Sequence, residues 1–282
     1  MKVIFNGDDF GLTSGVNEGI IHSFQGGLLS STSLIANGEA ASEAIALARE
    51  NPELDIGIHL TLTEQFPLLP EGNNFLIISH GSPFPSKEKI LYGILARKIN
   101  YNKVEAEWKA QIEKVIGSGV QISHMDSHQF IHLFPGLFPL SLSLAVKYNI
   151  PYIRTSILDP ISFGTGLKRI LQCALLKLWA NKFLSQRASP QIKRVPSLGF
   201  IKTGGRMEAG NLIKYIDRII REGSHQLVEV FLHPGIGDAY TTHKYQHWRY
   251  DWAKDMKLLL DRVLKNELSR RGVEIISYRE LI

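Results

Sequence analysis

Eight short apolar runs rich in Val, Ile and Phe, separated by longer stretches of helical period, constrain this chain more than any other feature. The runs are Val3 to Gly7, Ser31 to Ala36, Asp55 to Thr61, Val120 to Asp126, Tyr152 to Thr155, Ser197 to Ile201, Leu227 to Leu232 and Val273 to Ser277. Between them Val16 to Phe24, Glu39 to Glu50, Val104 to Ile116, Leu137 to Tyr148, Leu167 to Leu184, Asn211 to Arg221 and Trp252 to Leu268 repeat as helices do. This alternation is the pattern of βα units and a parallel sheet. Eight units predict an α/β fold, a closed but irregular (β/α) barrel. An open doubly wound sheet is the alternative, because periodicity does not report closure. A chain of 282 residues fits one barrel of about 250 residues, so 1–282 reads as a single (β/α)-barrel domain.

Cys173 is the only cysteine, which excludes an intramolecular disulfide and a thiolate metal cage and fits a reducing, cytoplasmic compartment. The N-terminus reaches Asp8-Asp9 too soon for a signal peptide. Any metal must therefore be held by His and carboxylate groups. The formal charge of +5 is modest, and no nucleic-acid partner is expected. It is unevenly placed, however. No acid occurs between Asp159 and Glu208, where Lys168, Arg169, Lys177, Lys182, Arg187, Lys193, Arg194, Lys202 and Arg206 fall. Either an anionic neighbour or an ordinary solvated face accounts for such a run.

In a parallel barrel the active site lies at the C-terminal ends of the strands. Asp8-Asp9, His59, Asp126 with His128, and His233 all fall at that end of their runs. Adjacent carboxylates repel; a metal at one relieves this and leaves the other to take a proton from water. They could equally cap the next helix. In Val120 to His128 the even positions run apolar, apolar, His124, Asp126, His128 along one extended face. His124, His128 and His132 would instead stack if the segment were helical. His59 alone reads as a hydrogen-bonded core histidine. Glu229 shares a strand face with His233 and would orient it or pair with a cation.

Asn6-Gly7-Asp8-Asp9-Phe10-Gly11, Thr32 to Gly38, Gly57-Ile58-His59-Leu60, His124-Met125-Asp126-Ser127-His128 with His132, and His233-Pro234 together resemble the YdjC-like carbohydrate deacetylases, the ChbG/HpnK family, over nearly the whole chain. The resemblance implies an irregular (β/α) barrel of the glycoside hydrolase/deacetylase type. It implies one divalent metal on Asp9, His59 and His128, with Asp8 as catalytic base and His233 as acid. Asp126, His124, His132 and Glu229 would bind substrate or support those groups. Gly7 stands where the family usually has Ala, and Phe130 where a second His is common.

The implied reaction is hydrolysis of the acetamide of an N-acetylated amino sugar, a chitooligosaccharide or a lipid-linked N-acetylglucosamine. The ligand types admit Mg, Zn, Mn or Co; the resemblance favours magnesium. Rival readings are a metal-dependent phosphoester hydrolase and a catalytically silent sugar-binding barrel. Leu167, Ile170, Leu171, Ala174, Leu175 and Leu178 with neighbouring Lys and Arg would suit an anionic membrane surface at the inner face, or pack as any barrel helix does. That stripe and the Gly199 to Gly205 run lean towards a lipid-linked sugar. Homo-oligomer formation is not readable.

Overall fold

The computed structural model describes residues 1–69, 82–159, 167–186 and 191–281. Eight strands follow in chain order: β1 (Lys2–Phe10), β2 (Ser31–Leu34), β3 (Asp55–Leu60), β4 (His124–Ser127), β5 (Tyr152–Ile157), β6 (Lys193–Leu198), β7 (Leu227–Leu232) and β8 (Glu274–Ile275). The helices are α1 (Ser14–Gly26), α2 (Ala41–Glu50), α3 (Lys87–Leu95), α4 (Tyr101–Gly117), α5 (Leu137–Lys147), α6 (Leu167–Gln186), α7 (Ala209–Glu222), α8 (Ala239–Lys244), α9 (Trp252–Leu259) and α10 (Arg262–Arg270). All strand pairs are parallel, and β1 joins both β7 and β2 to close a ring of seven strands.

The expected eighth stave is displaced. β7 runs along one edge of β1 from Lys2 to Gly7. On the other edge β8 pairs at Lys2 and Val3, and β2 takes over from Asn6. The last strand therefore fills only the lower part of the β1–β2 seam. Ser30 donates there to the Ile276 carbonyl, and Asp55 accepts from the Tyr278 and Arg279 amides.

Alternation sorts the side chains. Val3 and Phe5 join the large core between strands and helices, whereas Ile4, Tyr152, Val195, Ile276 and Tyr278 form a small apolar floor inside the ring. Above it the same inward positions turn polar: Asn6 and Asp8 on β1, Ser33 on β2, His59 on β3, His124 and Asp126 on β4, Arg154 on β5, Glu229 on β7. All are buried.

Two predicted elements differ. The expected Trp252 to Leu268 helix is split because Asp261 takes an extended conformation and caps α10, accepting from the Val263 and Leu264 amides. The α6 stripe is also divided: Cys173 and Leu176 are buried, while Leu167, Leu171 and Leu178 are exposed. The side chains of Lys168, Arg169 and Lys182, and Arg187 altogether, lie outside the described residues. No helix among the described residues is long and apolar enough to cross a membrane.

The turn that follows β7 leans on α1 through glycine. A Cβ on Gly19 would come within 2.2 Å of the Gly235 Cα. Gly19→Ala should cost roughly 1–3 kcal/mol of stability as backbone is pushed apart, read as a lower urea midpoint.

Candidate active site

Adjacent residues of a regular strand point to opposite faces, so Asp8 and Asp9 could not both reach the barrel mouth from an unbroken β1. The β1–β2 register shifts between Gly7 and Phe10, and Asp9 has φ 70. This bulge turns Asp9 inwards above Asp8. His59 is brought by β3, and His128 starts the short 3₁₀ helix His128–Leu133 that follows β4.

Asp9 Oδ1 lies 3.0 Å from His128 Nδ1 and 3.3 Å from His59 Nε2. A cation about 2.1 Å from each ligand sets neighbouring ligand atoms about 3 Å apart. The donor set thus fits one small divalent ion. Asp9 Oδ2 is buried with no hydrogen-bond partner, a deficit that such an ion or a water on it would remove. The other ring nitrogen of His59 is 2.7 Å from Asp126 Oδ1, the carboxylate–histidine pairing that fixes a ligand imidazole. Burial opposes charge on His59, but Asp126, Asp9 and Asp8 outweigh it and push its pKa up to about 10. A cation entering here displaces that proton.

Asp8, His59 and Asp126 also approach one another within 4.8 Å, yet a cation already serves that second group. Arg154 Nη1 and Nη2 donate to the two oxygens of Asp8 at 2.7 and 2.8 Å. Nη2 is 2.7 Å from Asp126 Oδ2, and Nε and Nη2 grip Glu229 at 2.8 and 2.7 Å. Phe231 covers the guanidinium at 4.5 Å and Phe130 at 5.7 Å. Phe130 thus occupies as an aromatic lid the place where a second histidine was looked for.

Three further candidates lie around the site rather than at its mouth. Of the two roles open to Glu229 it takes that of cation partner, binding Arg154 and not His233, and burial pushes its pKa up to about 7 despite that guanidinium. His124 lies deeper, bonded to Ser33 and Ser123 and stacked on Tyr278 at 4.1 Å. His132 is turned away, between the Ser127 hydroxyl and the Arg154 carbonyl, and burial lowers its pKa to about 4. The four-residue histidine row is no helix face, since His124 sits on a strand and Gln129 and Phe130 interrupt the turn at φ 57 and 58.

His233 does reach the mouth. Its Nε2 is 3.9 Å from Asp9 Oδ2, its Nδ1 is 3.1 Å from the Thr203 hydroxyl, and burial lowers its pKa. Asp8, His59, His128 and His233 line a cavity of about 360 Å³ with Gln129, Gln172, Thr203, Trp248 and Tyr250. Farther back, the Gly199, Phe200 and Ile201 amides all donate to Asp159, so that run spends its donors within the chain.

Arg154, Ser33, Thr203 and Asp255 were not singled out from the sequence. Arg154 left a trace as the one charge in the Tyr152 to Thr155 run, and Ser33 and Thr203 only as members of the Thr32 to Gly38 and Gly199 to Gly205 stretches. Asp255 is buried and accepts from the backbone of His233 and Gly205 at 3.0 Å each. Burial raises its pKa from 3.8 to about 7. Below the lower value it is protonated whether folded or not. Between the two values the folded chain holds a proton that the unfolded chain has released, so stability falls as pH rises through this window. Asp255→Asn should flatten that slope, measured as urea midpoints at about pH 5 and about pH 8.

The family described as YdjC-like protein matches residues 2–270. Carbohydrate deacetylase 1 of Listeria innocua is 35% identical over 283 residues, covering 100% of both chains. The carbohydrate deacetylase of Geobacillus stearothermophilus is 31% identical, covering 98% of this chain and 96% of that one. A solved structure from Enterococcus faecalis V583, named for cellobiose-phosphate cleavage, superposes with a TM-score of 0.75 at 24% identity over 99% of this chain and 98% of its own. That likeness concerns the fold. With the family match spanning the barrel and relatives aligned end to end, the chain belongs to the YdjC-like protein family.

Proposed function

We propose that this chain is a metal-dependent carbohydrate deacetylase, hydrolysing the acetamide of an N-acetylated amino sugar to acetate and the free amine. The observation that carries this reading is the convergence of Asp9 Oδ1, His59 Nε2 and His128 Nδ1 beside Asp8 and His233 in one cavity. Asp9, His59 and His128 would hold a divalent ion, whose chemistry there would be to acidify a water and polarise the amide carbonyl. Magnesium is our choice of ion, on the family resemblance.

Asp8 is the base. Its Oδ1 accepts from Asn6 and Arg154, and its Oδ2 only from Arg154. A carboxylate has about four acceptor positions, so Oδ2 keeps one for the proton of the attacking water. Arg154 fixes the orientation of that oxygen. His233 gives its proton to the departing amine, and Asp8 later returns one through solvent, so the protons balance.

Burial depresses the His233 pKa below its ordinary value against the pull of Asp9 and Asp8, so the protonated donor is depleted as pH rises, at lower pH than for a free imidazole. Activity should fall on the alkaline side. His233→Ala should abolish that limb and lower kcat by about 10²–10⁴-fold, seen in pH–rate profiles. Metal removal and His128→Ala should each abolish acetate release from N-acetylglucosamine oligomers. Phosphate release from p-nitrophenyl phosphate in place of acetate release would reject the reading. Sugar binding without turnover in the metal-loaded protein would reject it too.

For the substrate we favour a lipid-linked amino sugar over a free chitooligosaccharide. An apolar recess of about 100 Å³, lined by Leu91, Phe134, Leu175, Leu176 and Trp179, adjoins the main cavity through Gln129, Gln172 and Phe200. The exposed Leu167, Leu171 and Leu178 lie on the same α6. Such a protein would work in the cytoplasm at the inner membrane face. Wild type should co-sediment with anionic vesicles, and Lys168, Arg169 and Lys177 charge reversal should release it; no binding by wild type removes the motive for this substrate.

A further inference from the structure

Around the cavity mouth lies a cluster that the chemistry above does not use. After α8, Trp248 is only partly buried, with its ring 4.9 Å from that of His128 and 5.6 Å from that of Tyr250. Tyr250 in turn stands 4.8 Å from His233. The two rings thus bridge from a metal-ligand imidazole to the imidazole assigned as acid, and both line the cavity.

Trp248 is held in place from across the mouth. Its indole N–H donates to Glu64 Oε2 at 2.6 Å, and Glu64 Oε1 accepts from Gln129 at 3.4 Å and lies 3.6 Å from His247 Nε2. Glu64, Gln129 and Arg249 have φ of 61, 57 and 54, left-handed conformations that cost a non-glycine residue and persist where the surroundings impose them. Glu64 bonded to the indole, Gln129 bonded to Glu64 and Arg249 next to Trp248 in the chain together mark a built feature. Tyr245 packs on the indole at 4.3 Å, and the part of the ring that lines the cavity with Gln129, Gln172 and Thr203 suits a ligand with one apolar face and a polar rim; a pyranose ring, with its axial C–H groups and equatorial hydroxyls, has that form.

We propose that Trp248, with Tyr250 beside it, is the stacking platform for the pyranose ring that carries the acetamide, and that Glu64 is its positioning residue. The proposal rests on the deacetylase reading for the identity of the sugar, but its test does not. N-acetylglucosamine oligomers are titrated into metal-loaded wild type, Trp248→Ala, Trp248→Phe, Glu64→Gln and Glu64→Ala, following indole fluorescence, calorimetric affinity and steady-state kinetics.

Wild type should show a fluorescence change on binding that Trp248→Phe diminishes, since Trp108 and Trp252 are buried and Trp179 lines the adjoining recess rather than the main cavity. Trp248→Ala should weaken affinity and raise KM about tenfold, more than it lowers kcat, and Trp248→Phe should recover part of the loss. Glu64→Gln, which keeps an acceptor oxygen, should be milder than Glu64→Ala. Wild-type affinity and KM in folded Trp248→Ala overturn the proposal. If that variant does not fold, Trp248→Phe decides: a lost fluorescence response with moderately weakened binding supports the platform, and an unchanged response overturns it. Sugar binding that depends on Trp248 without acetate release keeps the platform and removes the deacetylase reading. Acetate release indifferent to Trp248 does the reverse, and a wild type that neither binds nor cleaves these sugars refutes both.

Discussion

The guanidinium of Arg154, buried on the barrel axis, is the interaction on which the rest of the site depends. It faces Asp8, Asp126 and Glu229 at once, and those groups could not share so dry a space as anions without it. Burial works against the charge on Asp126, and Arg154 and His59 hold its pKa below the ordinary range all the same. An ionised Asp126 then orients His59, and His59 offers its other nitrogen at the mouth. The ligand geometry at the surface is thus set two layers down. Charge is also divided: a permanent side-chain cation serves the lower acids, and Asp9 has no Arg or Lys partner among the described residues.

The second constraint is local. A single irregularity in β1 lets two neighbouring acids serve one cavity, and it leaves Asp9 in a left-handed conformation. Asp9, Glu64, Gln129, Phe130 and Arg249 are five of the seven non-glycine residues with positive φ among the described residues, and they surround the mouth. Strain of this kind is tolerated where neighbouring structure over-determines it. Here the barrel supplies a rigid ring, and the loops above it absorb the distortion.

Much of this was legible in the sequence. Each of the eight apolar runs meets one strand, because strand and helix periods differ and each survives in the composition, although the fourth run starts ahead of β4 and Ser197 to Ile201 overlaps only the end of β6. Asp8-Asp9, His59, Asp126 with His128, and His233 could be placed at one end of the barrel because each stands at the outgoing end of its run; Asp9, His59 and His128 as a ligand set came from the family resemblance. The deep polar network could not. Arg154 is one charge in a short run, and nothing local says that it will meet Glu229, 75 positions away. Glu229 could be read as a partner for His233 or for a cation, and only the fold decides for the guanidinium across the ring. Closure at seven was hidden for the same reason, since an apolar run reports burial and not its partner. The Trp252 to Leu268 period concealed the break at Asp261, where a capping carboxylate overrides helix propensity.

The wedge position of β8 bears on how the chain assembles. Every residue that builds the mouth is made before β8 emerges, and Asp255 precedes it by about twenty residues. The base of the β1–β2 seam must wait for a segment some 270 positions from its partner Lys2, about as non-local a pairing as this chain permits. Synthesis running from the N-terminus would therefore present an upper rim already formed over an unsealed bottom, with Ile4 and Tyr152 wet until Ile276 and Tyr278 arrive. Late sealing of that kind makes the final few residues a gate on native-state maturation, although they lie at the end of the barrel farthest from the chemistry.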